Sequence, residues 1–197
     1  MMKLQRGAAP DFLKENYKQW GKDYEQMRLA NPSTRFNWRS YAGVPVDKQL
    51  KSSLNAITKN HCSYCDGFPL GTTSLETIDH FRPKSKYPCL AYVWHNLFLC
   101  CTVCQQAKRD TFDKKLLKPD VQAYQFHTYF TVNYSNGEIA ANPAASSTDQ
   151  DRANFTINVF GLNKPGRPES RFREYCLFQL AGKSVHIDDF SYRFFMI

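Results

Sequence analysis

Two Cys-x-x-Cys pairs, Cys62/Cys65 and Cys101/Cys104, constrain this chain more than any other feature of its sequence. A Cys-x-x-Cys turn points both sulfurs at one centre, and a second such turn completes a tetrahedron of the kind that holds Zn²⁺. The chain has seven cysteines, an odd number, and its start, MMKLQRGAAPDFLKENYKQW, lacks the apolar stretch of a secretory signal. Thiolates on a metal are therefore favoured over a disulfide framework. Either His61 or Cys100 is the alternative fourth ligand, replacing one of these thiolates. Cys89, Cys100 and Cys176 otherwise read as small buried hydrophobes.

Composition narrows the class. With 42% apolar and 15% aromatic residues in 197, the chain can bury a core. No apolar run approaches the ~18 residues of a membrane span, so a cytoplasmic protein without a membrane segment is expected. The net charge of +8 suits an anionic partner such as nucleic acid, though charge alone selects no function.

The chain divides into three parts. Residues 1–60 read as helical: Leu13, Tyr17, Trp20, Tyr24 and Met27 form one stripe between Pro10-Asp11 and Asn31-Pro32, and Leu50, Leu54 and Ile57 mark a second helix from near Asp47. Each stripe fits core packing, and the aromatic first one also fits a docking element for a partner. Residues 61–118 carry the metal-type residues. Residues 119–197 read as a covering region, with a hairpin around Asn136-Gly137, a polar loop NPAASSTDQD, a helix ending at Gly161 and another over RPESRFREYCLFQL.

The 35 residues between the cysteine pairs hold the chemistry. SLETIDHFRP is strand-like and ends on Asp79-His80; a loop containing Pro and Lys follows, then the apolar NLFLC, then CTVCQQAKRD as the start of a helix. Strand, loop, strand, helix, clamped by a metal at the helix entrance, gives an α+β fold with a ββα core. Arg82, Lys84, Lys86, Lys108 and Arg109 flank Asp79-His80 and could grip phosphates without base specificity. A histidine of ordinary pKa, ~6.5, is a competent general base near neutrality. His95 could approach this site; His61, His127 and His186 read as structural, and Tyr64 and Trp94 as packing.

The combination of Cys62-x-x-Cys65, IDHFRPKS and HNLFLCCTVCQQAK, with Asn96 five residues before Cys101 and twelve before Lys108, resembles the HNH nuclease family. The resemblance implies a ββα-metal core, with His80 as general base, Asp79 as ligand to a catalytic Mg²⁺ or Mn²⁺, and Asn96 as brace of the loop that holds His80. It also implies a second catalytic-metal ligand directly after the second cysteine pair, usually Asn or His. Here that residue is Gln105, whose amide oxygen stands one methylene, about 1.5 Å, further out. Either Gln105 binds, directly or through water, or Asp79 and the phosphate hold the ion.

A narrower likeness adds NGEI, TINVFGLN and Arg171 to these segments. Over roughly residues 60–175 the chain is similar to the HNH nuclease subunits of Septu-type anti-phage systems and their retron-associated relatives. That implies an ATPase partner of the ABC/SMC-like kind. DNA is the favoured substrate by family precedent, and RNA, transfer RNA included, stays open. The competing class is a zinc-stabilised module that binds nucleic acid or a partner without cutting.

Overall fold

The computed structural model describes residues 1–72, 74–182 and 185–197. Helix α1 spans Asp11–Ala30, opened by Pro10 and closed at Asn31. Leu13, Trp20 and Tyr24 of its stripe are buried, whereas Met27 at the end is exposed. Trp20 meets Tyr92 edge-on at 5.2 Å, and Tyr24 meets Phe36 at 5.0 Å. The aromatic stripe is thus consumed by the core, the first of its two sequence-level meanings. Gly21 permits this packing: a Cβ there would lie 2.4 Å from the Cys89 carbonyl oxygen.

Short strands β1 (Ser40–Tyr41) and β2 (Val44–Pro45) turn the chain into α2, Val46–Thr58, which buries Leu50 and Leu54. Strand β3 is Glu76–His80 and strand β4 is Leu97–Cys101; helix α3, Thr102–Lys108, follows with no intervening residue. β3 and β4 pair antiparallel from Glu76 opposite Cys101 to His80 opposite Leu97. The register puts a cysteine pair at one end of this hairpin and the Asp-His pair at the other. Every residue of β4 is buried, as a continuous apolar strand should be.

Beyond the hairpin come the one-turn helix α4 (Phe126–Tyr129), strands β5 (Phe130–Val132) and β6 (Ile139–Ala141), and helices α5 (Ser147–Phe160) and α6 (Arg167–Ala181). The mixed α+β character holds, with three two-stranded antiparallel sheets among the described residues. Part of the expected polar loop is helix. The Ser146 hydroxyl accepts from the Asp149 N–H and caps α5, so the helix starts well before its apolar positions. Gly161 closes α5 in a left-handed conformation, φ +58°. Gly137 turns the β5–β6 hairpin at φ +81°, where a Cβ would fall 1.9 Å from the Pro168 carbonyl oxygen.

The three segments share one core. Its buried residues run from Leu4 and Leu13 through Tyr64, Phe98 and Phe130 to Phe160, Phe194 and Phe195. Arg171, buried in α6, donates to the Gly137 and Leu162 carbonyls and to the Asn163 amide oxygen, tying the hairpin to the helices. No helix is long and apolar enough to cross a membrane among the described residues.

Candidate active site and metal centre

Cys62 and Cys65 sit in a tight turn after α2, in which the Asp66 N–H donates to the Cys62 carbonyl at 2.9 Å. Cys101 ends β4, and its sulfur accepts from the Cys104 N–H at 3.4 Å as the N-cap of α3. The helix start therefore fixes both sulfurs of the second pair. The four Sγ atoms are buried and lie within 4.8 Å of one another, with 3.8 Å between Cys65 and Cys101. A tetrahedron with Zn–S bonds of ~2.3 Å has edges of about 3.8 Å, so the cluster fits Zn²⁺ in geometry and in donor chemistry. Its neighbouring thiols, and secondarily Arg167, hold Cys65 well below the ordinary thiol range, whereas burial pushes Cys62 well above it. The Arg167 guanidinium stands 3.4 Å from the Cys104 sulfur and offsets thiolate charge.

Both alternative ligands are occupied elsewhere. Cys100 meets the Thr77 hydroxyl at 3.4 Å, and the His61 ring faces the carbonyls of Thr58, Lys59 and Phe190. Of the other cysteines expected to be buried, Cys89 is exposed and Cys176 only partly covered. A staple holds the first knuckle from outside: Arg193 in the C-terminal 3₁₀ turn grips both Asp66 oxygens at 2.7 and 3.1 Å.

At the other end of the hairpin, Asp79 and His80 are buried, at 4% and 5% exposure, not the exposed pair that two polar residues beside a Pro-Lys loop suggest. Their side chains meet different partners. Asp79 meets the first cysteine turn and α3. It accepts from the Tyr64 hydroxyl at 2.7 Å, and the Lys108 ammonium stands 3.2 and 3.1 Å from its two oxygens. Lys108 also donates to the His80 carbonyl at 2.8 Å.

His80 looks toward the N-terminal segment, stacked on Trp38 at 5.6 Å and edge-on to Phe36 at 5.3 Å. Its Nε2 lies 2.9 Å from the Ala91 carbonyl, which only accepts. Nε2 therefore carries the proton, and Nδ1 is the ring's basic atom. Burial, then the Lys84 charge, pulls the His80 pKa down to about 3, against the bond to Ala91, so the ring is neutral at any physiological pH. This differs from the ordinary value, ~6.5, expected of a histidine from sequence.

Asn96 braces the loop between the strands. Its oxygen accepts from the Arg82 N–H at 2.7 Å, and its amide donates to the Arg82 and Leu90 carbonyls at 3.0 and 3.1 Å. Gln105 donates from Nε2 to the Ile78 carbonyl at 3.2 Å, pinning α3 to β3 one residue before Asp79. The oxygen donors here, the Asp79 carboxylate and the Gln105 amide, suit a hard divalent cation in kind. An ion on Asp79 shares that carboxylate with the Lys108 ammonium.

The basic residues separate into two groups. Arg82, Lys86 and Arg109 are exposed, and Lys84 is half-buried with its ammonium 5.3 Å over Phe36. Lys108 is not on that rim: it is fully buried and committed to Asp79. Its position four residues after Cys104 places both on one helix face, a spacing that could have revealed it. The contacts of Tyr64, Phe36 and Trp38 carried no comparable signal. His95 is exposed and lies 3.7 Å from Asp120, away from His80 in its contacts.

No family model matches the chain. Two curated relatives do, both described as Septu protein PtuB. The one from Bacillus mycoides is 27% identical over 129 residues, 57% of this chain and 42% of the relative. The one from Bacillus thuringiensis is 31% identical over 94 residues, 46% of this chain and 35% of the relative. The matches thus span less than half the length of these relatives, and over that part the chain is related to Septu protein PtuB.

Proposed function

We propose that this chain is an HNH-type endonuclease, a phosphodiester hydrolase serving as effector in Septu-type anti-phage defence. The observation that carries the proposal is His80: a buried neutral imidazole with Nε2–H anchored on a carbonyl and Nδ1 left as the base. An imidazole held in one tautomer keeps its other nitrogen free to take a proton. The strand–loop–strand–helix order, the thiol cluster and the similarity to PtuB support the same reading.

In this mechanism Nδ1 of His80 takes a proton from the water that attacks phosphorus, while the ester bond to the leaving oxygen breaks. The Ala91 carbonyl orients the ring and stabilises the imidazolium that forms. Asn96 keeps the 82–90 loop closed so that this carbonyl stays in place. Asp79 and Gln105 are the proposed ligands for Mg²⁺ or Mn²⁺, which supplies charge stabilisation at the phosphate. Lys108 holds the Asp79 carboxylate in orientation. Arg82, Lys86 and Arg109, with Lys84, grip the flanking phosphates. Zn²⁺ on the four cysteines is structural.

DNA is the favoured substrate, with an RNA-cutting effector of the same design as the variant. An ABC/SMC-like ATPase is the proposed partner and the cytoplasm the proposed location. The rival reading, a non-cutting zinc-stabilised binding module, draws on Gln105 standing where Asn or His is usual.

The test is cleavage of plasmid DNA and of total transfer RNA in Mg²⁺ and in Mn²⁺, by the chain alone and mixed with its ATPase. Cutting of either polymer, lost in His80→Ala, is the expected result. Silence under all these conditions puts the binding module ahead.

A further inference from the structure

Beside the proposed active site lies a cavity of about 430 Å³, of whose lining the mechanism uses only Arg82 and Asn96. That is within the ~300–1,000 Å³ of small-ligand sites. Phe81, Leu116 and Phe112 give it an apolar floor, and Arg82, Lys114 and Arg152 stand among its lining residues. Phe81 and Phe112 meet edge to face at 5.7 Å. The Arg82 guanidinium lies 5.4 Å over Phe112, and neither it nor Lys114 has a carboxylate partner among the described residues. Arg152 contacts Asp149 at 3.3 Å, and Asp113 is the one acidic residue of the lining.

The cavity is joined to the proposed base by covalent structure. Arg82 is two residues from His80, and Asn96, which holds the backbone of Arg82, also lines the cavity. A strand whose phosphate is gripped by Arg82 therefore brings its neighbouring nucleotide to the cavity mouth.

We infer that this cavity binds one unstacked nucleotide of the strand being cut, its base against Phe112 and its phosphate against Arg82 and Lys114. The inference rests on the nuclease reading and narrows it. A base stacked in a duplex presents no free face to an aromatic ring, so the site selects single-stranded or looped nucleic acid, or a flipped base. An acidic peptide would satisfy the cations but leave the aromatic floor unused.

The experiment uses the full zinc-loaded chain carrying His80→Ala, which stops cutting. Fluorescence anisotropy reads its affinity for a labelled single-stranded 12-mer and for the same sequence as a duplex. Tighter binding of the single strand is expected. Adding Phe112→Ala should weaken single-strand binding about tenfold, as loss of one base stack does, with duplex binding nearly unchanged. Lys114→Glu, on an exposed residue, tests the rim if Phe112→Ala fails to fold, and should again weaken the single strand more than the duplex. Equal affinity for the two forms, an equal response of both to these variants, or equal displacement by poly-glutamate would overturn the inference. Cutting by the unsubstituted chain without preference for single strands sinks the cavity and spares the nuclease. Phe112-dependent single-strand binding by a chain that never cuts spares the cavity and sinks the nuclease.

Discussion

The two ends of the β3–β4 hairpin are both buried and polar, yet they are satisfied in opposite ways. At the cysteine end four thiols converge on one another, with sulfurs 3.8 Å apart and long N–H···S contacts of 3.4 Å. Thiols supply little bonding to each other, and four of them so placed suit a soft cation. At the Asp79–His80 end Tyr64 and Lys108 meet the carboxylate and a carbonyl meets the imidazole N–H, which leaves Nδ1 as the open basic atom. One end has the donor set of a metal site; the other is a preorganised pair whose partners come from distant parts of the chain. The difference teaches that burial alone does not distinguish a structural centre from a chemical one. What surrounds each donor does.

The largest expected effect is at the cysteine end. Cys104→Ser, or a strong chelator, should unfold the chain, because structural zinc contributes ~10–16 kcal/mol in small zinc domains, as much as the whole ~5–15 kcal/mol stability of a domain. Zinc content by mass spectrometry and a thermal scan check this. A cooperative transition that survives without zinc would break the contrast between the two ends.

Next comes Lys108→Met, which leaves the Asp79 charge buried beside only Tyr64. Removing one partner of a buried pair costs ~3–5 kcal/mol, and urea denaturation measures it. Asp79→Asn in the same background should recover much of the loss, since the orphaned charge is then gone. A cost below ~1 kcal/mol would mean that the buried pair contributes no more than an exposed one.

The His80 end also predicts a pH dependence of stability. The folded ring has its pKa lowered to about 3, so between that value and ~6.5 the unfolded chain binds the extra proton. Stability therefore falls as pH drops below ~6.5, by up to about 1.4 kcal/mol per unit from this group, until the folded ring is itself protonated. His80→Asn should flatten that slope. An identical slope in both proteins would mean that the ring is not held neutral by its surroundings.

How much of this was legible in sequence follows the same division. The thiol cluster is four identical residues in two short turns, so spacing alone assembles it. The ends of α1 and α5 follow from local residues, Pro10 and Gly161. Asp79, His80 and Asn96 were legible by resemblance, but their surroundings were not. Lys108 sits in a run, AKRD, that reads as a solvated basic patch, and only its partner 29 residues away makes its burial tolerable. Arg193 and Asp66 are 127 residues apart, and the Phe36–Trp38 cover over His80 comes from a segment without a strong periodic pattern. Apart from the four-residue step from Cys104 to Lys108, pairs of this kind arise from tertiary packing that no local pattern encodes.

The most direct test of the account is a paired measurement on one preparation of His80→Ala: zinc per chain and rate of phosphodiester cleavage, beside the unsubstituted protein. The account predicts one zinc per chain in both proteins and cutting only in the unsubstituted one. Equal cutting by a folded, zinc-loaded His80→Ala protein would contradict it.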